Sequence, residues 1–256
     1  MRRIIASALA AALTGCSEPV PRAAEDAPPA VAAPAADAAG SAGSASNAPG
    51  GTTAAPVTPA AKDVILFVGT SLTAGYGIGA DLAYPAVLQQ KLDSARLPFR
   101  VSNAGISGET SAGGLRRIDW ALQAPIAVLV LELGANDGLR GLDPRRMEEN
   151  LDEIMARTRA AHPQADIVLL GMEAPPNLGP AYVSRFRNVY RDLARRHDAV
   201  LVPFLLEGVA GDPALNQRDG LHPTAAGQRL MAQTVWRALL PVLQARTAQR
   251  ASSDPS

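Results

Sequence analysis

This sequence of 256 residues contains few cysteines, histidines and aromatic residues, and it has no excess of either charge. A single cysteine excludes an intramolecular disulfide framework and a zinc site built on several thiolates. Three histidines leave little material for a histidine-rich metal site, and aromatic residues at 4% argue against a base-stacking surface. Because 24 basic residues balance 24 acidic ones, there is no electrostatic signature of nucleic-acid binding. With 47% hydrophobic residues a globular core can form, so an enzyme or a small binding module remains.

The first sixteen residues have the pattern of a bacterial secretion signal. Two arginines precede an uncharged stretch from residue 4 to residue 15, and Cys16 follows it. This stretch is too short to span a bilayer as a helix, which needs roughly 20 residues. Its end, Leu-Thr-Gly-Cys, resembles the lipoprotein box, in which the cysteine is lipidated and becomes the new N-terminus. We therefore expect a signal peptide at residues 1–15 and lipidation of Cys16, rather than an ordinary signal peptide with an incidental cysteine.

The lipoprotein resemblance implies a protein that is exported and anchored by lipid in the bacterial cell envelope. Ser17 lacks the acidic side chain associated with retention in the inner membrane, so we expect the outer membrane, facing the periplasm. Residues 16–62 are rich in alanine and proline, and the prolines interrupt every candidate helix. These residues predict a disordered tether with an end-to-end distance of roughly 40 Å. The last residues, 247–256, are polar and are expected to fray.

The remaining domain, residues 63–246, alternates apolar runs with helical segments. The apolar runs lie at residues 64–68, 99–101, 127–133, 167–170 and 200–202. Helices are predicted at residues 84–95, 112–121, 144–161, 183–196 and 224–245, with Pro241 kinking or ending the last one. Uninterrupted apolar strands indicate a sheet that is buried on both faces. The pattern predicts the α/β class, as a doubly wound α/β/α sandwich with a five-stranded parallel sheet and its active site at the carboxyl ends of the strands.

Four loops carry residues that could do chemistry. They read Gly-Thr-Ser-Leu-Thr at residues 69–73, Asn-Ala-Gly-Ile-Ser-Gly at 103–108, Gly-Ala-Asn-Asp at 134–137 and Asp-Gly-Leu-His-Pro at 219–223. The first loop is not a P-loop, because it has no Gly-Lys-Ser or Gly-Lys-Thr. It is not the G-x-S-x-G elbow of α/β-hydrolases either, because Thr73 occupies the last glycine position. Each loop alone is a common turn former. In this order and at these strand ends, they closely resemble the SGNH/GDSL hydrolase family.

The four blocks of that family supply a serine, a glycine, an asparagine and a histidine, matched here by Ser71, Gly105, Asn136 and His222. The resemblance covers the whole domain and implies a flavodoxin-like SGNH hydrolase fold. Within the family, residues 131–137 and 175–177 look most like bacterial arylesterases and multifunctional thioesterase/lysophospholipases.

The first block departs from the family pattern at one position. It is normally Gly-Asp-Ser, whereas Thr70 stands here in place of the aspartate. The family's aspartate forms hydrogen bonds with nearby backbone and helps to hold the loop. Threonine can still donate and accept, but it removes a negative charge beside the site. The expected effect is on turnover and loop rigidity more than on reaction type.

The roles of the matched residues follow from chemical need. A serine hydroxyl is a weak nucleophile at neutral pH, so Ser71 requires His222 as a base. Asp219, three residues before the histidine, would fix the imidazole tautomer. The backbone N–H groups of Ser71 and Gly105 and the amide of Asn136 would form an oxyanion hole. We expect neither a metal nor an organic cofactor.

We therefore predict a serine esterase that hydrolyses carboxylic esters through an acyl-enzyme. Aryl or short- to medium-chain acyl esters are the expected substrates, and lysophospholipids and thioesters are further candidates. By family resemblance, the loop at residues 172–182 walls the acyl pocket, which makes Pro176 and Leu178 candidate substrate-binding residues. The alternatives are a carbohydrate O-deacetylase and a non-catalytic binding module of the cell envelope. We expect a monomer whose partners are the ester substrate and, through the anchor, a membrane.

Overall fold

The computed structural model describes residues 62–253, which form one five-stranded sheet with helices packed on it. The strands lie in the order β2-β1-β3-β4-β5, with β1 at Asp63–Gly69, β2 at Phe99–Gly105, β3 at Val128–Glu132, β4 at Asp166–Leu170 and β5 at Val200–Val202. Every neighbouring pair in this sheet is parallel. The predicted α/β class and five-stranded parallel sheet are confirmed.

The predicted signal peptide at residues 1–15 and the predicted lipidation site Cys16 lie outside the described residues. The same holds for the predicted tether at residues 16–62, apart from its last residue. Along residues 62–253, none of the helices combines the length and the apolarity that crossing a bilayer requires.

Seven α-helices are present in the described part of the chain. They are α1 at Ser71–Ala74, α2 at Tyr84–Ser94, α3 at Ser111–Ala121, α4 at Ala135–Leu139, α5 at Pro144–Ala161, α6 at Pro180–Arg196 and α7 at Ala225–Ser253. A 3₁₀ turn, Pro176–Leu178, lies just before α6. The five long helices match the predicted segments, whereas the short α1 and α4 were not predicted because neither is long enough to show a helical period.

The helices form two groups because the chain winds in both directions from β1. It moves first to β2 on one side, and then from β2 past β1 to β3 on the other. Right-handed crossovers therefore put α2 on one face of the sheet and α3, α5 and α6 on the other. Accordingly, α2 packs on α7, whereas α3 packs on α5 and α5 on α6. The result is the predicted doubly wound sandwich, in which the carboxyl ends of all strands meet at one edge.

The central strands are buried on both faces, which explains their uninterrupted apolar sequences. Val128–Leu131 of β3 and Ile65–Val68 of β1 have almost no exposed surface. At the carboxyl end of β3 the apolar pattern stops, and the carboxylate of Glu132 is fully buried.

Local sequence also sets the helix ends. Asp143 caps α5 by accepting a hydrogen bond at 3.0 Å from the Arg145 N–H, and Pro144 occupies the first helical position, where the predicted helix at residues 144–161 begins. A proline is tolerated at that position because an N–H there would have no acceptor within the helix, so its absence breaks no hydrogen bond.

The end of α7 differs from the prediction. The predicted last helix stops at residue 245 and the predicted frayed tail begins at 247, but α7 continues to Ser253 with Pro241 inside it. Two ion pairs hold the extra turns, one from Arg246 to Asp166 and one from Arg250 to Asp63. These ion pairs join distant segments of the chain, so the local sequence could not reveal them.

Candidate active site

The loops at the carboxyl ends of the strands enclose a cavity of about 590 Å³. Parallel register brings these ends together, since Gly69 of β1 lies between Gly105 of β2 and Glu132 of β3. The cavity wall includes Ser71 and Asn136, and the rest is mainly apolar. The large apolar side chains on this wall are Leu72, Tyr76, Leu139, Met172, Phe204, Leu206 and Leu221.

Three predicted residues form one continuous hydrogen-bonded chain at the cavity. The Ser71 Oγ atom lies 2.9 Å from Nε2 of His222, and the Nδ1 atom of the same ring lies 2.7 Å from Oδ2 of Asp219. A carboxylate accepts only, so Nδ1 carries the proton and Nε2 is left to accept from the serine hydroxyl. The structure thus brings together the predicted nucleophile, base and orienting acid.

Asp219 is held as a carboxylate by its own loop. The backbone N–H of His222, the imidazole of the same residue and the backbone N–H of Leu221 all donate to it and lower its pKa to about 2. Tyr76 packs against the same imidazole, with its ring centroid 4.5 Å from that of His222. The imidazole is therefore oriented both by a hydrogen bond and by an aromatic contact.

The nucleophile lies at the start of α1, directly after β1. The hydroxyl of Thr70 caps this short helix by accepting from the Leu72 N–H. Gly69 allows the loop to approach the sheet, because a Cβ at that position would lie 2.1 Å from Oγ1 of Thr73 and 2.7 Å from Oε2 of Glu132. The loop that carries Ser71 is therefore packed tightly against the end of β3.

Glu132 is a residue of the site region that sequence analysis missed. Its carboxylate accepts hydrogen bonds from Thr70 and Thr73, the residues on either side of the Ser71–Leu72 pair. One signal could have revealed it, since it is a charged residue that ends an otherwise apolar, fully buried strand.

The predicted oxyanion-hole glycine, Gly105, is wrong. Its N–H donates to Oδ1 of Asn103 at 2.9 Å, and a Cβ at this position would lie 2.5 Å from the backbone nitrogen of Ala74. The close approach to α1 explains why a glycine stands there. The glycine on the cavity wall is instead Gly108, three residues later in the same block.

Two backbone donors and one amide face the cavity. Within residues 62–253, the N–H groups of Ser71 and Gly108 have no hydrogen-bond acceptor. The Asn136 amide donates one of its two hydrogens to the Glu109 carbonyl at 3.0 Å, which leaves the other for a ligand. An oxygen that gains negative charge in the cavity would find these donors already in place.

Charged side chains hold the loops that present these donors. Arg140 donates to the Gly108 carbonyl at 2.9 Å, and Arg117 forms a paired contact with the largely buried carboxylate of Glu109. Asp137 accepts from both the N–H and the hydroxyl of Ser111, at 2.8 and 2.6 Å. The loop after β2 is therefore fixed to α3 and α4.

The predicted substrate-binding residues Pro176 and Leu178 do not line the cavity. The wall on this side is formed by residues 172–175, and the chain turns away at the 3₁₀ turn that contains both predicted residues. We correct the assignment accordingly. Family resemblance identified the loop but could not show which of its residues line the cavity.

Similar proteins share both the sequence and the fold. A family model, the GDSL-like Lipase/Acylhydrolase family, matches residues 67–230. The chain is 42% identical over 185 residues to Esterase TesA of Pseudomonas aeruginosa, covering 72% of this chain and 91% of that protein. It is 40% identical over 186 residues to thioesterase 1/protease 1/lysophospholipase L1 of Escherichia coli (strain K12), covering 72% and 86% respectively. The crystal structure of the psychrotrophic esterase EstA from Pseudoalteromonas sp., inhibited by monoethylphosphonate, matches with a TM-score of 0.67 at 34% identity, covering 72% of this chain and 100% of that one.

Proposed function

The chain belongs to the GDSL-like lipase/acylhydrolase family and is a serine ester hydrolase, and we propose that Ser71, His222 and Asp219 carry its reaction. The observation that supports this assignment is the unbroken series of contacts from Oγ to Nε2 and from Nδ1 to the carboxylate, at 2.9 and 2.7 Å. It lies on the wall of an apolar cavity that can receive an acyl group.

In the proposed mechanism, Nε2 of His222 takes the proton of the Ser71 hydroxyl as Oγ attacks the ester carbonyl. Asp219 stabilises the imidazolium that forms. The N–H groups of Ser71 and Gly108 and the free amide hydrogen of Asn136 stabilise the oxyanion. The imidazolium then protonates the departing alcohol, and water, activated by the same base, hydrolyses the acyl-enzyme. Gly108 takes the role that the sequence had assigned to Gly105.

The proposed substrates are aryl or short- to medium-chain acyl esters, with lysophospholipids and thioesters as further candidates. The mainly apolar wall supports an acyl chain, because its burial releases water from both surfaces. A carbohydrate O-deacetylase is the alternative, but an acetyl group alone would leave most of an apolar cavity of about 590 Å³ unfilled.

The proposed location follows from the N-terminal sequence. The lipoprotein-like box at Cys16 supports an exported protein that is anchored by lipid in the outer membrane and faces the periplasm. The proposed state is a monomer. Mass spectrometry of the mature N-terminus tests the anchor: an acyl-modified Cys16 supports it, and a soluble wild-type protein with no acyl mass refutes it.

Labelling with an organophosphonate tests the nucleophile. Ser71→Ala should abolish both labelling and hydrolysis, whereas Ser107→Ala, which removes the other serine on the cavity wall, should still label. Wild-type kcat/KM should rise from acetyl to butyryl and octanoyl aryl esters, with lysophosphatidylcholine and acyl-CoA as further substrates. Continued labelling of Ser71→Ala would identify another nucleophile. A preference for acetylated sugars over all of these esters would establish the deacetylase instead.

A further inference from the structure

Glu132 is a buried ionisable group that the proposed mechanism does not use. Its side chain has no exposed surface, and it lies at the end of β3 beside Gly69. Its Oε2 atom accepts from the Thr70 N–H and from the Thr73 hydroxyl, both at 2.8 Å. The Thr70 hydroxyl lies 3.0 Å from both carboxylate oxygens. These hydrogen bonds all come from the loop that carries Ser71.

These hydrogen bonds have a defined direction. Each threonine hydroxyl has one hydrogen, and a carboxylate can only accept, so Thr70 and Thr73 donate to Glu132. The Tyr84 hydroxyl, 2.8 Å from Oγ1 of Thr73, must then donate to that atom. The network therefore runs from the tyrosine through the threonine to a carboxylate that is satisfied only when it is ionised.

The network controls a peptide plane that belongs to the active site. The N–H of Ser71, an oxyanion donor in the proposed function, lies in the peptide that joins it to Thr70. The hydrogen bonds from the Thr70 N–H and hydroxyl to Glu132 restrain φ and the side-chain torsion of Thr70, and the Ala74 N–H, which donates to the Thr70 carbonyl at 2.9 Å, restrains the peptide plane itself. On the other side of the nucleophile, Gln228 donates to the Leu72 carbonyl at 3.2 Å.

The threonine at position 70 decides whether Glu132 can carry this charge alone. An aspartate there, as in the usual family block, would bring a second carboxylate to within about 3 Å of the first, where two such groups share a proton. Thr70 supplies a donor instead. The carboxylate of Glu132 therefore supplies the negative charge near Ser71 that the family's aspartate would otherwise supply.

We propose that Glu132 is a positioning residue for the nucleophile, which must be ionised to hold Thr70 and Thr73 and so to orient the Ser71 hydroxyl and N–H. A protonated Glu132 would point its hydrogen at an oxygen that now donates to it, so at least one hydrogen bond would break. This inference rests on Ser71 being the nucleophile.

The titration of Glu132 falls in an accessible range. Burial raises its pKa to about 7, although the hydrogen bonds from Thr70 and Thr73 oppose that rise. The other ionisable groups that face it are Tyr84 and Tyr190, and burial raises the pKa of both phenols well above its usual value. Both phenols therefore stay neutral while Glu132 titrates.

The test compares wild type with Glu132→Gln across pH, using an aryl ester and the full chain. For wild type, the acid limb of log kcat/KM should include one protonation with a pKa of about 7, that of Glu132. Glu132→Gln should lower kcat between about 10- and 100-fold with little change in KM, and the slope of its acid limb should be smaller by one. Glu132→Asp retains a titrating carboxyl and should keep the wild-type slope.

Thr73→Val gives an independent test if the amide variant does not fold. Removal of one donor should raise the pKa of Glu132 further and move the acid limb of kcat/KM to higher pH. Thr158→Val is the matched control, since it removes a buried hydroxyl that is bonded within α5 and should leave the pH profile unchanged. The wild-type slope in Glu132→Gln, or wild-type kcat in that variant, would overturn the inference. Activity in Ser71→Ala would overturn the proposed function instead.

Discussion

Ser71 and His222, the proposed nucleophile and base, are held in place by different kinds of contact. On the nucleophile side, the Ser71 loop is bonded to Glu132 of β3 and Gln228 of α7, which are distant in sequence and buried. On the base side, His222 is oriented by the hydrogen bond that its Nδ1–H donates to Asp219, three residues away, whose side chain is 39% exposed. The nucleophile side thus couples catalysis to the stability of the core, whereas the base side can fail without unfolding the protein.

Removal of the base should sharpen this contrast most. His222→Ala should lower kcat/KM by at least about 10⁴-fold, because among the described residues the imidazole is the base that is hydrogen-bonded to the Ser71 hydroxyl. Its melting temperature should stay close to that of wild type, since the two side-chain hydrogen bonds that this variant removes, to Asp219 and to the Ser71 hydroxyl, are both partly exposed. Calorimetry and kinetics on one preparation would check both. A large fall in melting temperature would show that the base side also supports the core.

Replacement of Asn136 should weaken the stabilisation of the charged transition state and leave substrate binding nearly unchanged. Asn136→Ala should lower kcat by about 10²–10³-fold with KM nearly unchanged, since the amide bonds the oxygen strongly only once it is charged. Phosphonate labelling should slow but persist. A rise in KM with kcat intact would instead make Asn136 a residue that binds the ground state.

A pair of glycine variants compares the two sides directly. Gly69→Ala should lower kcat by about tenfold or more and destabilise the protein by about 1–3 kcal/mol, because its Cβ meets Thr73 and Glu132. Gly220→Ala, next to Asp219, meets nothing within 4 Å but has a φ of +70°. It should cost only about 1 kcal/mol, from backbone strain. Equal effects of both variants on unfolding in urea would contradict the contrast.

The smallest expected effect is on acid stability. Folding lowers the pKa of Asp219 from 3.8 to about 2, so its stabilising contribution is present above about pH 4 and is lost as the pH falls to about 2. Asp219→Asn does not titrate. Its unfolding free energy should therefore fall less than that of wild type between pH 4 and pH 2, as measured by urea titration. Parallel curves for the two proteins would contradict the assigned pKa.

The sequence predicted those features that depend on neighbouring residues. The apolar run of β1 and the Asp143–Pro144 start of α5 could be identified because burial and capping leave local patterns. The family resemblance supplied Ser71 and His222, whose side chains then met in the structure.

Features that depend on distant contacts were missed or misassigned. Gly105 and Gly108 lie in one block, and spacing cannot tell which of them faces a cavity and which packs under α1. Glu132 acquires its environment only when β3 lies beside β1. Pro176 and Leu178 lie in the predicted loop, but beyond the point where it turns away from the cavity.

The long α7 has one further consequence. Its Arg250 is ion-paired with Asp63, the first residue of β1, so the two ends of the described chain meet at the amino ends of the strands, opposite Ser71. The domain is therefore nearly closed on itself, and a short linker could join its ends. A circularly permuted chain, opened at an exposed turn such as residues 95–96 between α2 and β2, should keep the sheet order and an intact active site.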